Sequence, residues 1–462
     1  MVITPIAGVL AKLLAKYDQA GPRYTSYPTA PAWSHEFGDA DHRASLRRAA
    51  GSPGDGMAMY VHLPFCKSMC FYCGCSVIVT QDLGKSDRYV DDVLREAELA
   101  RAVLDAPRPV VQHHWGGGTP TFLAPEQLER LFGGLSLLFP VADGAEISIE
   151  VDPRVTTRAH LEALRRCGFN RISMGVQDFD AEVQHAIHRE QSFLQTRDLV
   201  DMARALGFRS VNLDLVYGLP HQIPESFRNS IDLVLAMRPD RLACYGYAHV
   251  PWLKKHQRVI DEAWLPKSAA KLELYLTALD AFREAGYVAI GMDHFALPDD
   301  GLAKAADDGS LHRIFMGYTT QSASDMLSFG STSISEMSGA FAQNTKTLHD
   351  YRARLDAEEL PVERGLLRNA EDEARRRIIL DLMCRFRLDY AAHGGAEAFR
   401  RRYASAIDAL APMLEDGLIA IDDDGIAVTP TGRLFVRNIA MPFDAYLEGQ
   451  RSSRSQVFSR TV

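Results

Sequence analysis

From residue 57 to about 250 the chain alternates between short apolar runs and longer stretches with helical spacing of apolar positions. The runs at 57–64, 110–116, 146–152, 171–177, 210–217 and 241–249 read as strands. Several are nearly continuous in apolar residues, as parallel strands buried on both faces are. Between them, Leu199, Met202, Ala203 and Leu206 fall at i, i+3, i+4 and i+7, with Gly207 where a C-terminal cap belongs. Pro125 opens another helix and Gly168 ends a third. Six strand–helix repeats of roughly 30–35 residues predict an α/β fold with a parallel sheet, open or curled into a partial barrel. In either form the active site belongs at the carboxyl ends of the strands.

The flanks read differently. Val2 to Ala20 has an apolar face interrupted by Lys12 and Lys16, and no cleavage site follows, which predicts a short amphipathic helix rather than a signal peptide. The arm Gly21-Pro22-Arg23-Tyr24-Thr25-Ser26-Tyr27-Pro28-Thr29-Ala30-Pro31, with three prolines and a glycine, is predicted not to be helical. It is either an extended surface linker or, given its arginine and tyrosines, a lid or substrate contact. A helix at about 268–285 is followed by polar stretches around 286–296, 317–321 and 330–335 to which no element is assigned. A charged helix, Glu371 to Arg387, then presents Ile378, Ile379, Leu382, Met383 and Phe386 on one face. Another helix ends at Gly417, and Leu418 to Val428 alternates around Asp422-Asp423-Asp424-Gly425 as a hairpin. The expected division is an N-terminal helix and arm over 1–50, a catalytic barrel with an extension over 51–365, and a smaller, mainly helical, winged-helix-like domain over 366–462.

Composition narrows the function classes. The 462 residues carry a formal charge of −9, which argues against general nucleic-acid binding even for a winged-helix-like module. It leaves room for an anionic substrate where basic groups converge. No run reaches the ~18 apolar residues of a membrane span. A cytoplasmic monomer with no nucleic-acid or membrane partner is expected.

The chemistry gathers at strand ends. Cys66, Cys70 and Cys73 stand at C-x3-C-x2-C just after the first strand, with Cys75 following. Thiolates are the usual ligands of iron–sulfur clusters. Three of them on a four-iron cubane leave one iron without a protein ligand. Zinc and redox cysteines are the alternatives, but structural zinc prefers two separated pairs, and Cys167, Cys244 and Cys384 are scattered singly. Seven cysteines, an odd count, also speak against a disulfide framework. Glu150 and Asp214 sit inside otherwise apolar strands, where a carboxylate is costly unless partnered. Gly116-Gly117-Gly118 lets backbone approach a ligand closely. Gln177 and Ala248-His249 occupy further strand ends.

At these residues the chain resembles the radical S-adenosylmethionine (SAM) superfamily and, within it, the family of oxygen-independent coproporphyrinogen III oxidases. The resemblance rests on Arg23-Tyr24-Thr25-Ser26-Tyr27-Pro28-Thr29, the cysteine loop through Cys75, and His114-Trp115-Gly116-Gly117-Gly118-Thr119-Pro120. It continues through Glu150-Val151-Asp152-Pro153-Arg154, Ser173-Met174-Gly175-Val176-Gln177, Tyr217-Gly218-Leu219-Pro220, Gly291-Met292-Asp293-His294 and Gly317-Tyr318-Thr319-Thr320-Gln321. The similarity runs from about residue 21 to the end. Departures are His188, where asparagine is expected before Arg189, and the Ser-Thr wording of Gly330 to Ser335.

The resemblance implies an oxidoreductase of haem biosynthesis that converts the ring A and B propionates of coproporphyrinogen III to vinyl groups, giving protoporphyrinogen IX. It implies a [4Fe-4S] cluster on Cys66, Cys70 and Cys73, two molecules of SAM as radical source, and a flavodoxin- or ferredoxin-like electron donor. Tyr60, Gly117, Glu150 and Ile334 correspond to contacts of the cluster-bound SAM. Tyr72, Gly118, Thr119, Gln177, Arg189, Asp214 and Ala248 correspond to contacts of the second. Cys75 and Tyr60 are the candidate catalytic residues. A related haem chaperone or anaerobic haem-degrading enzyme on the same scaffold is the alternative.

Overall fold

The computed structural model describes residues 3–50, 56–106, 108–321, 323, 325–451 and 458–461. Strands β1 (Met57–Leu63), β2 (Val110–Gly117), β3 (Val141–Val151), β4 (Arg171–Gln177), β5 (Ser210–Tyr217) and β6 (Arg241–Gly246) pair in parallel in sequence order. Helices α1 (Leu83–Val103), α2 (Pro125–Leu138), α3 (Arg158–Arg166), α4 (Phe193–Ala205) and α5 (Pro224–Ala236) make the crossovers, and α6 (Ser268–Glu284) follows β6. The expected strands are all present. β3 begins five residues earlier than the apolar run at 146–152, because Val141 pairs with Val110. β6 stops at Gly246 rather than 249, because its parallel pairing with β5 ends at Tyr217–Gly246.

The helices start and stop for local reasons. Asp82 caps α1 by accepting from Gly84 N, Ser192 caps α4, and Pro125 and Pro224 each open a helix with a nitrogen that has no hydrogen to lose. Gly168 and Gly207 take positive φ just past α3 and α4.

The sheet is wider than the sequence pattern foretells. Beyond β6 it gains β7 (Val288–Gly291) and β8 (His294–Ala296), with β8 antiparallel to β6. On the other side β9 (Met326–Phe329) pairs in parallel with β1, followed by the antiparallel β10 (Ile334–Met337), β11 (Ala340–Asn344) and β12 (Val362–Leu367). The order β12-β11-β10-β9-β1-β2-β3-β4-β5-β6-β8-β7 does not close.

The sheet curls around a polar lumen of about 150 Å³, lined by residues of β2 to β6 and of the 314–319 segment. Its strands therefore alternate. Ile147, Ile149, Met174, Val211, Leu213 and Leu215 face the helices, where the main core lies, while Ser148, Glu150, Ser173, Asn212 and Asp214 line the lumen. Near the amino ends of the strands the lumen is crossed by ion pairs of Arg171 with Glu146 (2.8 Å) and of Arg241 with Asp300 (2.8 Å).

A second hydrophobic cluster joins both ends of the chain. Leu10, Leu13, Leu14 and Tyr17 of the N-terminal helix (Ile3–Tyr17) pack with Tyr24, Tyr27 and the C-terminal residues Ile378, Leu382, Phe435 and Ile439. The 21–31 arm is thus bound down rather than loose. Arg437 donates to the carbonyls of Gly21 and Pro22, and Arg23 pairs with Asp293. In the helical C-terminal domain α7 (Ala370–Arg385) ends one residue short of Phe386, which takes a left-handed conformation. Arg387–Asp389, Ile419–Ile421 and Gly425–Val428 form a three-stranded sheet containing the expected hairpin.

Candidate active site

The cysteine loop leaves β1 at Pro64 and crosses the carboxyl end of the sheet. Little of it is regular, so its carbonyls need outside partners. Side chains from four different places supply them. Gln81 donates to Lys67 O (2.7 Å), His188 to Met69 O (2.9 Å), Gln257 to Tyr72 O (3.0 Å), His256 to Cys73 O (2.7 Å), Lys254 to Cys75 O (3.0 Å) and His62 to Ser76 O (3.0 Å). A carbonyl only accepts, so His62 and His256 hold their proton on Nε2 and His188 holds its proton on Nδ1. His62 Nδ1 is then free to accept from Tyr60 OH at 3.1 Å.

His188 explains one departure from the family pattern. Its φ is +55°, a left-handed value that asparagine and histidine tolerate better than most residues. In that conformation its ring stacks on Phe71 at 5.0 Å while bonding the loop. Thr332, in the second departing stretch, is also left-handed.

The thiols differ in their surroundings. Burial pushes the Cys66 thiol up to about 11, with Thr119 Oγ1 3.6 Å away. The Cys73 thiol is drawn down to about 6 by its hydrogen bond from Cys75, helped by Lys254 and His256 against the cost of burial. The same contact pushes Cys75 well above its usual range. Cys70 Sγ faces two guanidinium groups, Arg154 at 3.5 Å and Arg189 at 3.8 Å. Three soft donors on one carbonyl-capped loop fit an iron–sulfur cluster. Among the described residues no trio of His, Cys, Asp or Glu side chains converges as a cage for a single ion.

β2 ends against this loop on bare backbone. Gly118 N donates to Leu63 O and Thr119 N to Phe65 O, both at 2.8 Å. Gly117 has φ +115°, and a Cβ there would stand 2.6 Å from the His62 ring. Gly117 N donates to Glu150 Oε2 (3.3 Å), and His114 Nε2 donates to Oε1 (3.4 Å). Desolvation raises the Glu150 carboxyl, but His114 and the Gly117 amide outweigh it and keep the group ionised below its ordinary value. The side chain is 47% exposed and so open to a ligand. The Tyr60 ring stacks on His114 at 5.9 Å, because the two are register partners on β1 and β2.

A second polar group stands around β4 and β5. Asp214 accepts from Asn212 (2.7 Å) and Ser173 (3.1 Å), and burial with the nearby Glu150 charge raises it to about 7. Gln177 is buried with φ +68° at the end of β4. Arg189 is buried and paired with Asp152 at 3.2 Å and Gly175 O at 2.8 Å, leaving its Nε without a partner. Tyr72 packs beside Val183, Ile187 and Val216, and Ala248 lines a separate cavity beyond β6.

The fold brings Tyr60, Gly117 and Glu150 together at the strand ends beside the cysteine loop, with Asp214 close enough to feel the Glu150 charge. Ile334 is set apart in its packing. It lies on β10, where its carbonyl accepts from Ser328, the register partner of Tyr60, while its side chain packs with Trp33 and Phe341. The sequence named His114 within a motif and His188 as a departure without giving either a contact, and it passed over His62, Lys254, His256 and Gln257. A histidine on a strand or in a loop carries no spacing signal, and these act through contacts that only the fold makes.

A parallel sheet with three thiols, a glycine-rich strand end and an open carboxylate at its carboxyl edge defines an enzyme of the radical SAM class. The comparisons agree. A family model described as the radical SAM superfamily matches residues 60–234, and one described as the HemN C-terminal domain matches 369–435. The oxygen-independent coproporphyrinogen III oxidase of Synechocystis is 43% identical over 464 residues, 99% of each chain. That of Escherichia coli is 45% identical over 452 residues, 97% of this chain and 98% of the other. The solved structure of coproporphyrinogen III oxidase (HemN) from Escherichia coli, described as a radical SAM enzyme, superposes with a TM-score of 0.88 at 43% identity, covering 92% and 97% of the two chains. The chain belongs to the oxygen-independent coproporphyrinogen III oxidase family. It is therefore an oxidoreductase whose family implies a [4Fe-4S] cluster and SAM. No helix among the described residues is long and apolar enough to cross a membrane.

Proposed function

We propose that the protein converts the ring A and B propionates of coproporphyrinogen III to vinyl groups, releasing carbon dioxide and giving protoporphyrinogen IX. The observation that carries this reading is the convergence of the cysteine loop, the bare Gly117–Gly118 backbone and Glu150 at one strand-end edge. A [4Fe-4S] cluster on Cys66, Cys70 and Cys73, with SAM at its remaining iron, supplies when bound a carbon-centred radical able to take a hydrogen atom from an unactivated carbon. No side-chain base in the site has the strength for that step.

The chain's own residues bind and orient. Gly117 and Gly118 admit a ligand against the backbone. Glu150, kept ionised by His114, would accept from the amino group of SAM, and Tyr60 would wall the same position. Asp214, Gln177, Arg189, Tyr72, Thr119 and Ala248 are assigned to a second SAM, so that each propionate has its own radical source. Arg189, fixed by Asp152 and the Gly175 carbonyl, supplies the positive charge of this position. Cys75, hydrogen-bonded to Cys73, is assigned to the substrate side.

Substrate recognition finds support beyond β6. A cavity of about 300 Å³ between the strand ends and the C-terminal helices is lined by Ala248 and by Arg23, Lys271, Arg433 and Arg460, with Asp293 the carboxylate in its lining. Such a cluster of cations in a chain of net charge −9 suits a polycarboxylate. The test is an anaerobic reaction of the reconstituted protein with coproporphyrinogen III, SAM and dithionite, read for vinyl products, 5′-deoxyadenosine and methionine. Vinyl formation with two SAM consumed per product is expected. Haem binding without SAM consumption would refute the reading.

A further inference from the structure

The segment Val250 to Ile260 does two things at once. Its inward side chains Lys254, His256 and Gln257 hold the carbonyls of Cys75, Cys73 and Tyr72 at 2.7–3.0 Å. Its outward side are Leu253 and Val259, 61% and 60% exposed, beside the exposed Lys255. A groove of about 290 Å³ runs next to it, lined by Met69 and Cys75 of the cysteine loop and by Lys254, Lys255 and Lys346. No carboxylate is among the described residues that line it, although Lys346 also reaches Glu363 at its edge (3.2 Å). With Lys67 in the cysteine loop, four of the chain's ten lysines stand around this one loop, on a protein whose net charge is −9.

We propose that this face is the docking surface of a small acidic one-electron carrier protein. The inference rests on the reaction proposed above, in which each SAM cleaved takes up one electron; the reduced carrier gives up that electron and is left oxidised by one. Electron transfer falls steeply with distance, so the carrier must sit against the cysteine loop. This groove is lined by that loop at Met69, Cys75 and Ser76. Charge on the rim steers an acidic partner into register, and an exposed leucine among the lysines supplies the apolar contact that steering alone lacks. Because Lys254, His256 and Gln257 hold the loop's carbonyls, a partner seated here bears on the segment that fixes Cys73 rather than on a free flap.

The experiment compares two electron sources on the full-length reconstituted enzyme. Reduced flavodoxin is titrated as donor against wild type and the Lys255→Glu, Lys346→Glu double variant, and dithionite-driven vinyl formation is measured in parallel. The expected result is a rise of about tenfold or more in the flavodoxin KM, with dithionite-driven turnover within about twofold of wild type. Leu253→Asp should raise the same KM. Moderate salt should weaken wild type toward the double variant. An unchanged flavodoxin KM overturns the assignment. So does an equal loss with both reductants, or a rise in the KM for SAM instead, which would make the groove a small-ligand site. Absence of vinyl product from wild type with dithionite would instead defeat the reaction itself.

Discussion

Gly118 lets the root of the cysteine loop lie against the end of β2, and its replacement measures how tightly that contact is set. A Cβ at Gly118 would stand 2.6 Å from Pro64 O, 2.7 Å from Pro64 C and 2.8 Å from Phe65 O. All three are backbone atoms, so no side chain can swing away. Gly118→Ala has two ways out. The loop root lifts and weakens the hydrogen bonds from Gly118 N to Leu63 O and from Thr119 N to Phe65 O, a loss of roughly 1–3 kcal/mol for two. Alternatively the bonds hold and overpacking costs about 1–3 kcal/mol. Either cost is below the ~5–15 kcal/mol that holds a domain together, so the chain stays folded and the damage is local to Cys66. Gly74 in the same loop is the control. It has nothing within 4 Å of the position a Cβ would take. The assay is iron and acid-labile sulfide per chain after anaerobic reconstitution, with the thermal midpoint alongside. Gly118→Ala should lose most of its cluster and melt a few degrees lower, whereas Gly74→Ala should match wild type in both. Full cluster loading in Gly118→Ala, or equal loss in Gly74→Ala, would refute the argument.

Further outcomes follow from the same geometry. Cys66→Ala, Cys70→Ala and Cys73→Ala should each abolish cluster absorbance and 5′-deoxyadenosine production, while alanine at the half-buried Cys167 or the buried Cys244 or Cys384 leaves iron content intact, since such free cysteines act as small hydrophobes. Asp152→Ala leaves the buried Arg189 and its neighbour Arg154 facing Cys70 without their counter-charge, and should destabilise by about 3–5 kcal/mol in chemical denaturation; a neutral result would mean the cluster loop compensates them. Glu96 accepts from Gly330 N (2.8 Å), Asn344 (2.6 Å) and Tyr351, and burial raises it to about 7. A carboxyl raised on folding stabilises while protonated, so this contribution is complete at low pH and falls as pH climbs from about 5 through 7, by on the order of 1 kcal/mol per unit. Glu96→Gln should flatten that slope in thermal midpoints measured between pH 5.5 and 7.5, whatever it does to their absolute level; an unchanged slope would assign the titration elsewhere.

Sequence alone was enough for the six parallel strands, their helices and the edge at which chemistry belongs, because apolar period and turn chemistry are local. It also marked Cys66, Cys70, Cys73, Gly117, Glu150 and Asp214, since thiols at close spacing and carboxylates inside strands are conspicuous wherever they lie. Residues 286–344 stayed without assigned elements for a physical reason. β9, β10 and β11 are short and mix polar with apolar positions, and they become strands only because β1 offers an unpaired edge for Met326–Phe329 to join. Nor could the pattern show that the 21–31 arm is packed between the two ends of the chain, since Tyr24 and Tyr27 meet Asp444 and Tyr446 across more than 400 residues. The clasp on the cysteine loop is the clearest case. His62, Gln81, Lys254, His256 and Gln257 are unremarkable at their own positions in the sequence, and His188 stands out there only as a departure with no contact attached. They matter because a loop with little secondary structure leaves most of its carbonyls without backbone partners, and only the folded chain decides which distant donors come near enough to satisfy them.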